Sequence, residues 1–246
     1  MPQIKAVFFD AAGTLFETRE PVGETYARIA RAYGVEASSV AVEAAFRRTF
    51  HEAGPLAFGP GQPAEELRRL ERDWWCSLVG RTFAGLGEFA DFASFFNSLF
   101  EFFAEPAHWL ADPEALTTLN RLRDRGLKLG VISNFDHRLY RILDGLGLGR
   151  RFDSITISSE VGFAKPAPAL FTAALEHHRL AAAEALHVGD SEQLDLAGAV
   201  AVGMKAVLIQ RKQQGPVSIA HHVARVSSLG GTLQALDFFD RPSGDA

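Results

Sequence analysis

The sequence predicts an α/β fold, a parallel sheet interrupted once by a helical insertion, and three observations predict it. From Asp112 onward, short apolar runs alternate with segments of helical spacing. Such alternation produces βαβ units, and hence a parallel sheet covered on both faces. Between about Glu17 and His108 the texture is rich in Ala, Arg, Glu and Phe, with helical spacing and no comparable strand. Finally, several strand-like runs stop at polar residues, as expected where a parallel sheet binds its ligand at the carboxyl ends of its strands. The chain therefore divides into a Rossmann-like parallel sheet core, residues 1–16 and 110–246, and an inserted helical cap domain, residues 17–109.

The elements follow in order. KAVFFD (5–10) is a short β-branched and aromatic run, a buried strand. Within the insertion, AGPLAFGPGQP (53–63) is the breaker-rich loop between helices. FADFASFFNSLFEFF (89–103) carries aromatics at helical spacing and is expected to be a core or domain-interface helix. Trp74 and Trp75 are expected to pack inside the cap. PEALTTLNRLRDRG (113–126) is a helix closed by Gly126. LKLGVIS (127–133) is a strand and DHRLYRILDGLGL (136–148) a helix. DSITISS (153–159) is a strand and APALFTAALEHH (167–178) a helix. ALHVGD (185–190), EQLDLAGAVAVG (192–203) and KAVLIQ (205–210) are strand, helix and strand. GLGLG (145–149) imitates a dinucleotide loop but follows a helix, so it is a helix terminus. His177-His178 and His221-His222 lack the company of zinc ligands and are expected to be exposed.

Composition narrows the function classes. The 246 residues are 47% hydrophobic, enough for a sizeable core. A net charge of −5 gives no basic footprint for nucleic acid. Cys76 stands alone, which excludes an internal disulfide and fits a reducing compartment. The N-terminal MPQIKAVFFD has neither signal-peptide nor membrane-span character. A cytoplasmic protein without membrane or nucleic-acid partners is expected. No residue pattern specifies an oligomeric state.

The chemistry begins at Asp10, the last residue of the first strand. Alone, it reads as easily as a cap or turn. Gly13 permits a tight backbone beside a ligand, and the Thr14 hydroxyl can orient the carboxylate. Asp190 and Asp195 stand near another strand end. Carboxylates converging from separate strands repel unless a cation lies between them, and Mg2+ is the hard, oxygen-seeking ion that fits. Lys165, in AKP before a proline, is either a solvated loop lysine or the balance for a bound phosphate. Ser133 and Asn134 supply donors at a third strand end, and read equally well as a helix cap ahead of DHRLYRIL.

In this order and spacing, DAAGT (10–14), VISN (131–134), AKP (164–166) and HVGDSEQLD (187–195) resemble the four motifs of the haloacid dehalogenase-like hydrolase superfamily. PVGETYARIARAYGV (21–35), VISNFDHRLYRILDGLGL (131–148) and HVGD (187–190) resemble one branch within it. The resemblance implies a fold with an inserted helical cap and a phosphatase acting on a small phosphorylated metabolite. It implies Asp10 as the nucleophile that forms an aspartyl-phosphate, with phosphate contacts from Gly13, Thr14, Ser133 and Asn134. Lys165 would neutralise charge. Asp10, the Ala12 carbonyl, Asp190 and Asp195 would hold Mg2+.

The same resemblance exposes a departure. Where the family's phosphatases carry an aspartate that shuttles protons, this chain has Ala12. General acid–base help of that kind is worth roughly 10²–10⁴-fold. Four readings follow. The first is a slow or specialised phosphatase, favouring acyl or aryl phosphates or borrowing a proton donor such as Glu17 or Glu24. The second is a dehalogenase, opposed by Asp190 and Asp195. The third is a phosphonoacetaldehyde hydrolase, which needs a cap lysine. The lysines here are Lys5, Lys128, Lys165, Lys205 and Lys212, none in the cap. The fourth is a phosphate-ligand-binding or regulatory module on the same fold.

Overall fold

A computed structural model describes residues 3–212, 218–220 and 222–241. Its centre is a seven-stranded sheet in the order β5-β4-β1-β6-β7-β9-β8. These are β1 (Ala6–Phe9), β4 (Lys128–Ser133), β5 (Ser154–Ile157), β6 (Ala185–Gly189), β7 (Lys205–Ile209), β8 (Ser218–Ala220) and β9 (Val223–Val226). Every pairing is parallel except β8 with β9. β1 is central, with Phe9 opposite Val131 on one side and Val188 on the other.

The β1 side chains alternate between two cores. Val7 and Phe9 join a cluster with α5 (Ala115–Asp124), α6 (Arg138–Gly145) and α10 (Gly231–Phe239). Ala6 and Phe8 join another with α8 (Pro168–His178) and α9 (Ala197–Ala201). Period-two side chains in a strand covered on both faces give this result, and explain why AVFF is apolar without alternation.

Between β1 and α5 the chain forms α1 (Val22–Ala32), α2 (Ser39–Glu52), α3 (Ala64–Phe83) and α4 (Phe92–Phe102). These helices enclose their own apolar cluster, in which Phe95 stacks on Phe89 at 4.1 Å and meets Phe83 edge-on at 5.2 Å. The aromatic stretch thus fills the centre of the helical segment. At the stem, β2 (Phe16–Thr18) and β3 (Trp109–Ala111) pair antiparallel. The residues flanking the insertion are therefore a two-stranded ribbon and not helix, held by three residue pairs too short to leave a sequence pattern.

Other departures are local. Residues 192–203 are not one helix: a π turn, Glu192–Leu196, precedes α9. The strand 153–159 ends at Ile157, and Ser158–Val161 forms α7. His178 is half-buried; its Nε2 lies 2.7 Å from Ser154 Oγ, and its ring meets Phe8 edge-on. His222 is exposed, whereas His221 lies outside the described residues. Among the described residues, no helix is long and apolar enough to cross a membrane.

Candidate active site

Four strand ends deliver the candidate residues to one edge of the sheet. Asp10 follows β1, and its N–H donates to the Val188 carbonyl at 2.8 Å, which fixes its backbone to β6. Ser133 ends β4, Lys165 follows β5 and α7, and Asp190 follows β6. Ser133 Oγ donates to Asp10 Oδ1 at 2.9 Å. Lys165 Nζ donates to the same oxygen at 2.6 Å and to Asp195 Oδ1 at 2.6 Å. Asp10, Ser133, Lys165 and Asp195 are all buried.

Asn134 serves this cluster through the backbone. Its Oδ1 accepts from the Lys165 N–H at 2.7 Å, and its Nδ2 donates to the Lys165 carbonyl at 3.1 Å. That clamp holds the AKP loop where the ammonium can reach both carboxylates. The sequence offered Asn134 as a phosphate contact or a cap; the side chain engages the lysine's peptide groups.

Gly13 explains the turn after Asp10. Its φ is +91°, and an added Cβ would lie 2.6 Å from Asp190 Oδ2. Both the positive φ and the close approach demand glycine. Thr14 is buried, and its Oγ1 donates to Asp190 Oδ1 at a long 3.4 Å. Ala12 is exposed and lines the adjoining cavity.

The π turn supplies the remaining acid. Asp195 Oδ2 accepts from the Ser191 N–H at 3.0 Å, and Oδ1 contacts His187 Nε2 at 2.9 Å. Since the acceptor is a carboxylate, His187 Nε2 carries the proton. Among the described residues, its buried Nδ1 has no partner. Asp195 is thus saturated by Lys165, His187 and Ser191, whereas Asp190 is the least engaged of the three acids.

Electrostatics follow from crowding. Burial raises Asp10 above its usual carboxylate range, with Lys165 opposing and Asp195 adding to the rise. Burial also works on Asp195, but Lys165 and His187 hold it well below that range. Burial disfavours the Lys165 ammonium, yet Asp10 and Asp195 keep its pKa raised. Asp190 opens toward the cavity. Its separation from bulk water, then the charges of Asp10 and Asp195, push it up to about 6.

One lysine facing three carboxylates leaves excess negative charge. Ligand oxygens of Asp10, Asp190 and Asp195 lie within 4.8 Å of one another. This donor set fits a hard divalent cation, with Asp190 as the open arm and Asp195 as the anchored one.

Sequence reasoning missed residues that hold the site from outside the motifs. Arg211, beyond β7, donates through Nη2 to the Thr14 carbonyl at 2.8 Å and to Asp112 Oδ2 at 2.7 Å, and through Nη1 to the Gly13 carbonyl. It ties the turn after Asp10 to the far side of the insertion. Asp136 and Arg138, within DHRLYRIL, form a buried pair; Trp75 of α3 donates to the same aspartate, Nε1 to Oδ2, at 2.6 Å. Trp75 therefore reaches from α3 to the loop before α6 and, contrary to the expectation from the sequence, does not pack wholly among the helices of residues 17–109. Of the proposed proton donors, Glu17 lines the cavity and Glu24 does not.

An aspartate at the end of β1, a lysine that bridges it to a second acid and a further strand end carrying an open carboxylate meet at one edge of a parallel sheet, in a fold of the haloacid dehalogenase type. The chain belongs to the haloacid dehalogenase-like hydrolases, whose family profile matches residues 4–203. It is 38% identical over 248 residues to haloacid dehalogenase-like hydrolase domain-containing protein 3 of Mus musculus, covering 98% of this chain and 97% of that one. Among solved structures it is similar to the HAD phosphatase from Thermococcus onnurineus (26% identity, TM-score 0.64, 95% and 98% covered). It shares its fold with the putative HAD-hydrolase YfnB from Bacillus subtilis, a structure bound to magnesium (17% identity, TM-score 0.73, 96% and 99% covered).

Proposed function

We propose that the protein is a Mg2+-dependent phosphatase acting on a small phosphorylated metabolite through Asp10, with the helices of residues 17–109 as the cap over its site. The observation that carries this reading is the paired grip of Lys165 on Asp10 and Asp195 beside the open Asp190. The fold alone does not separate phosphatases from dehalogenases, since solved structures of both share it. The third acid favours the phosphatase: a dehalogenase attacks carbon without metal and has no use for the excess negative charge that Asp190 brings.

Each residue then has a task. Asp10 attacks phosphorus. Ser133 and Lys165 hold its Oδ1, which leaves Oδ2 for the attack. Thr14 and Gly13 border the phosphoryl group on the turn, and Asn134 keeps Lys165 in place. Asp10, the Ala12 carbonyl and Asp190 would hold Mg2+, with Asp195 steadying the site through Lys165. When bound, the ion offsets the negative charge of the phosphoryl group.

Ala12 shapes the kinetics. Its methyl group neither protonates a leaving alcohol nor activates the water that cleaves the aspartyl-phosphate. Turnover is expected to be slow and limited by leaving-group quality. The test is a screen of acyl, aryl and alkyl phosphates with and without Mg2+, for wild type and Asp10→Asn. Activity on the first two classes that needs both the metal and Asp10 supports the phosphatase. Ala12 favours a second reading, a phosphate-ligand-binding module. Tight phosphate binding with no turnover of any ester would select it.

A further inference from the structure

The cavity beside Asp190 runs from the carboxylates into the helical segment. Its volume is about 640 Å³, within the span of pockets that enclose a small organic ligand. At one end stand Gly13, Asn134 and Asp190; the remaining wall is largely aromatic, including Phe46, Trp75, Phe96, Phe100, Phe103 and Trp109.

The arginines that reach this cavity are paired with carboxylates. Arg138 donates through Nε and Nη2 to Asp136 at 2.9 and 2.6 Å, and its guanidinium lies 4.0 Å from the Phe100 ring centroid. Arg47 Nε donates to Glu43 Oε1 at 2.7 Å, and Glu43 Oε2 accepts from the Gly23 N–H at 2.6 Å. Glu17 is an exposed acid. Among the described residues, each of the two arginines on the wall already has a carboxylate partner, Arg138 buried against Asp136 and Arg47 exposed and paired with Glu43 through Nε. A polyhydroxylated leaving group would bury hydroxyls against aromatic carbon, at a desolvation cost.

We propose that this cavity receives the leaving group, and that this group is bulky and aromatic. The substrate class is an aryl phosphate monoester larger than phenyl phosphate. This assignment rests on the phosphatase reading and narrows it. Two independent features point the same way. The wall presents ring faces and edges that a flat aromatic group matches, and Ala12 supplies no acid beside Asp10 to protonate a departing alkoxide, which leaves the exposed Glu17 as an acid on the wall. An aryloxide needs none. Asp10 forms the new bond to phosphorus as the phosphorus–aryl oxygen bond breaks. The aryloxide leaves with that electron pair and takes its proton from solvent. Water then attacks phosphorus, freeing inorganic phosphate and the Asp10 carboxylate and releasing its proton to solvent.

The experiment compares phenyl phosphate, 1-naphthyl phosphate and 2-(1-naphthyl)ethyl phosphate with Mg2+-loaded protein. The first two share an aryloxide leaving group and differ in bulk. The last two share bulk and differ in leaving-group quality. We expect kcat/KM for 1-naphthyl over phenyl phosphate to be at least about tenfold, the lower end of discrimination by an apolar pocket. The naphthylethyl ester should compete at a similar concentration but turn over slowly. Phe46→Ala should lower the naphthyl preference; Phe50→Ala, at a more exposed place on the same wall, is the second variant should the first misfold. Equal kcat/KM for phenyl and naphthyl phosphate, with turnover still dependent on Asp10 and Mg2+, overturns the cavity assignment and leaves the phosphatase standing. If no ester turns over, the phosphatase reading fails. Titration with 1-naphthylmethylphosphonate against methylphosphonate then decides the cavity: about tenfold tighter binding of the former supports an aryl site, and equal binding overturns it.

Discussion

Ala12 lies two residues past Asp10, exposed on the cavity wall, where a longer side chain has room to extend. Ala12→Asp is therefore expected to restore proton transfer. It should raise turnover of alkyl phosphates by up to about 10²–10⁴-fold and shorten the life of the aspartyl-phosphate. Burst and steady-state kinetics on one aryl and one alkyl phosphate measure both. An inert Ala12→Asp that is folded and binds Mg2+ would count against the nucleophilic role of Asp10. Asp190 gives a second expectation. Partial desolvation, then the charges of Asp10 and Asp195, push its carboxyl up from 3.8 to about 6. A raised acid means that the folded chain holds a proton the unfolded chain has lost, so stability falls as pH rises through this window. Mg2+ selects the ionised form. Affinity measured by calorimetry should climb between pH 4 and about 6 and then level off. Asp190→Asn should bind weakly, without that climb. A wild-type affinity flat across the window would show that Asp190 is not a ligand.

At the scale of elements, the contact between α3 and the start of α6 is built from charged groups. Glu71 of α3 is buried; its Oε1 accepts from the His137 N–H at 3.3 Å, and its Oε2 meets His137 Nδ1. Burial pushes Glu71 up to about 7, with Asp136 and Glu160 adding to the rise and Ser159 and Arg68 opposing it. The sign is that of a raised acid: the protonated form is favoured in the folded chain. Stability contributed by this contact is full below pH 4.5 and is lost as pH rises toward 7. Glu71→Gln preserves shape and hydrogen bonding without titrating. Between those limits wild type should lose about 3 kcal/mol relative to the variant. Denaturant midpoints across the range measure this, and parallel profiles for the two proteins would refute it. Nothing in AEELRRLERDWW (64–75) marks Glu71 as buried, because its partner lies 66 residues away on another element.

At the scale of the whole molecule, what was legible in the sequence was whatever repeats locally. β1, β4, β6 and β7 were readable because fully buried strands are short apolar runs bounded by breakers. Asp10, Ser133, Lys165 and Asp190 were readable because each ends or follows such a run, and strand ends of a parallel sheet share an edge. The π turn was not, since one extra residue per turn leaves the spacing of EQLDLAGAVAVG almost unchanged. Yet that turn aims Asp195 at Lys165. Arg211, Asp136 and Arg138 were equally hidden, for an arginine's role depends on which carbonyls or carboxylates fold against it. The insertion raises a final question of cooperativity. Its helices bury Phe83, Phe95, Phe96, Leu99 and Phe100 in a cluster distinct from the two that flank the sheet. A segment with a core of its own can open without unfolding its host. Phe95→Ala removes the ring at the centre of that cluster, at a cost of about 3–5 kcal/mol. The loss should fall on the helices alone. Hydrogen exchange in the variant should therefore speed up in α1, α3 and α4 while amides of β1, β4 and β6 keep their wild-type protection. Equal acceleration in the sheet would mean that the helical insertion and the sheet unfold as one unit. Faster exchange confined to the helices would identify the part of the molecule that can open over the carboxylates to admit an ester and release its products.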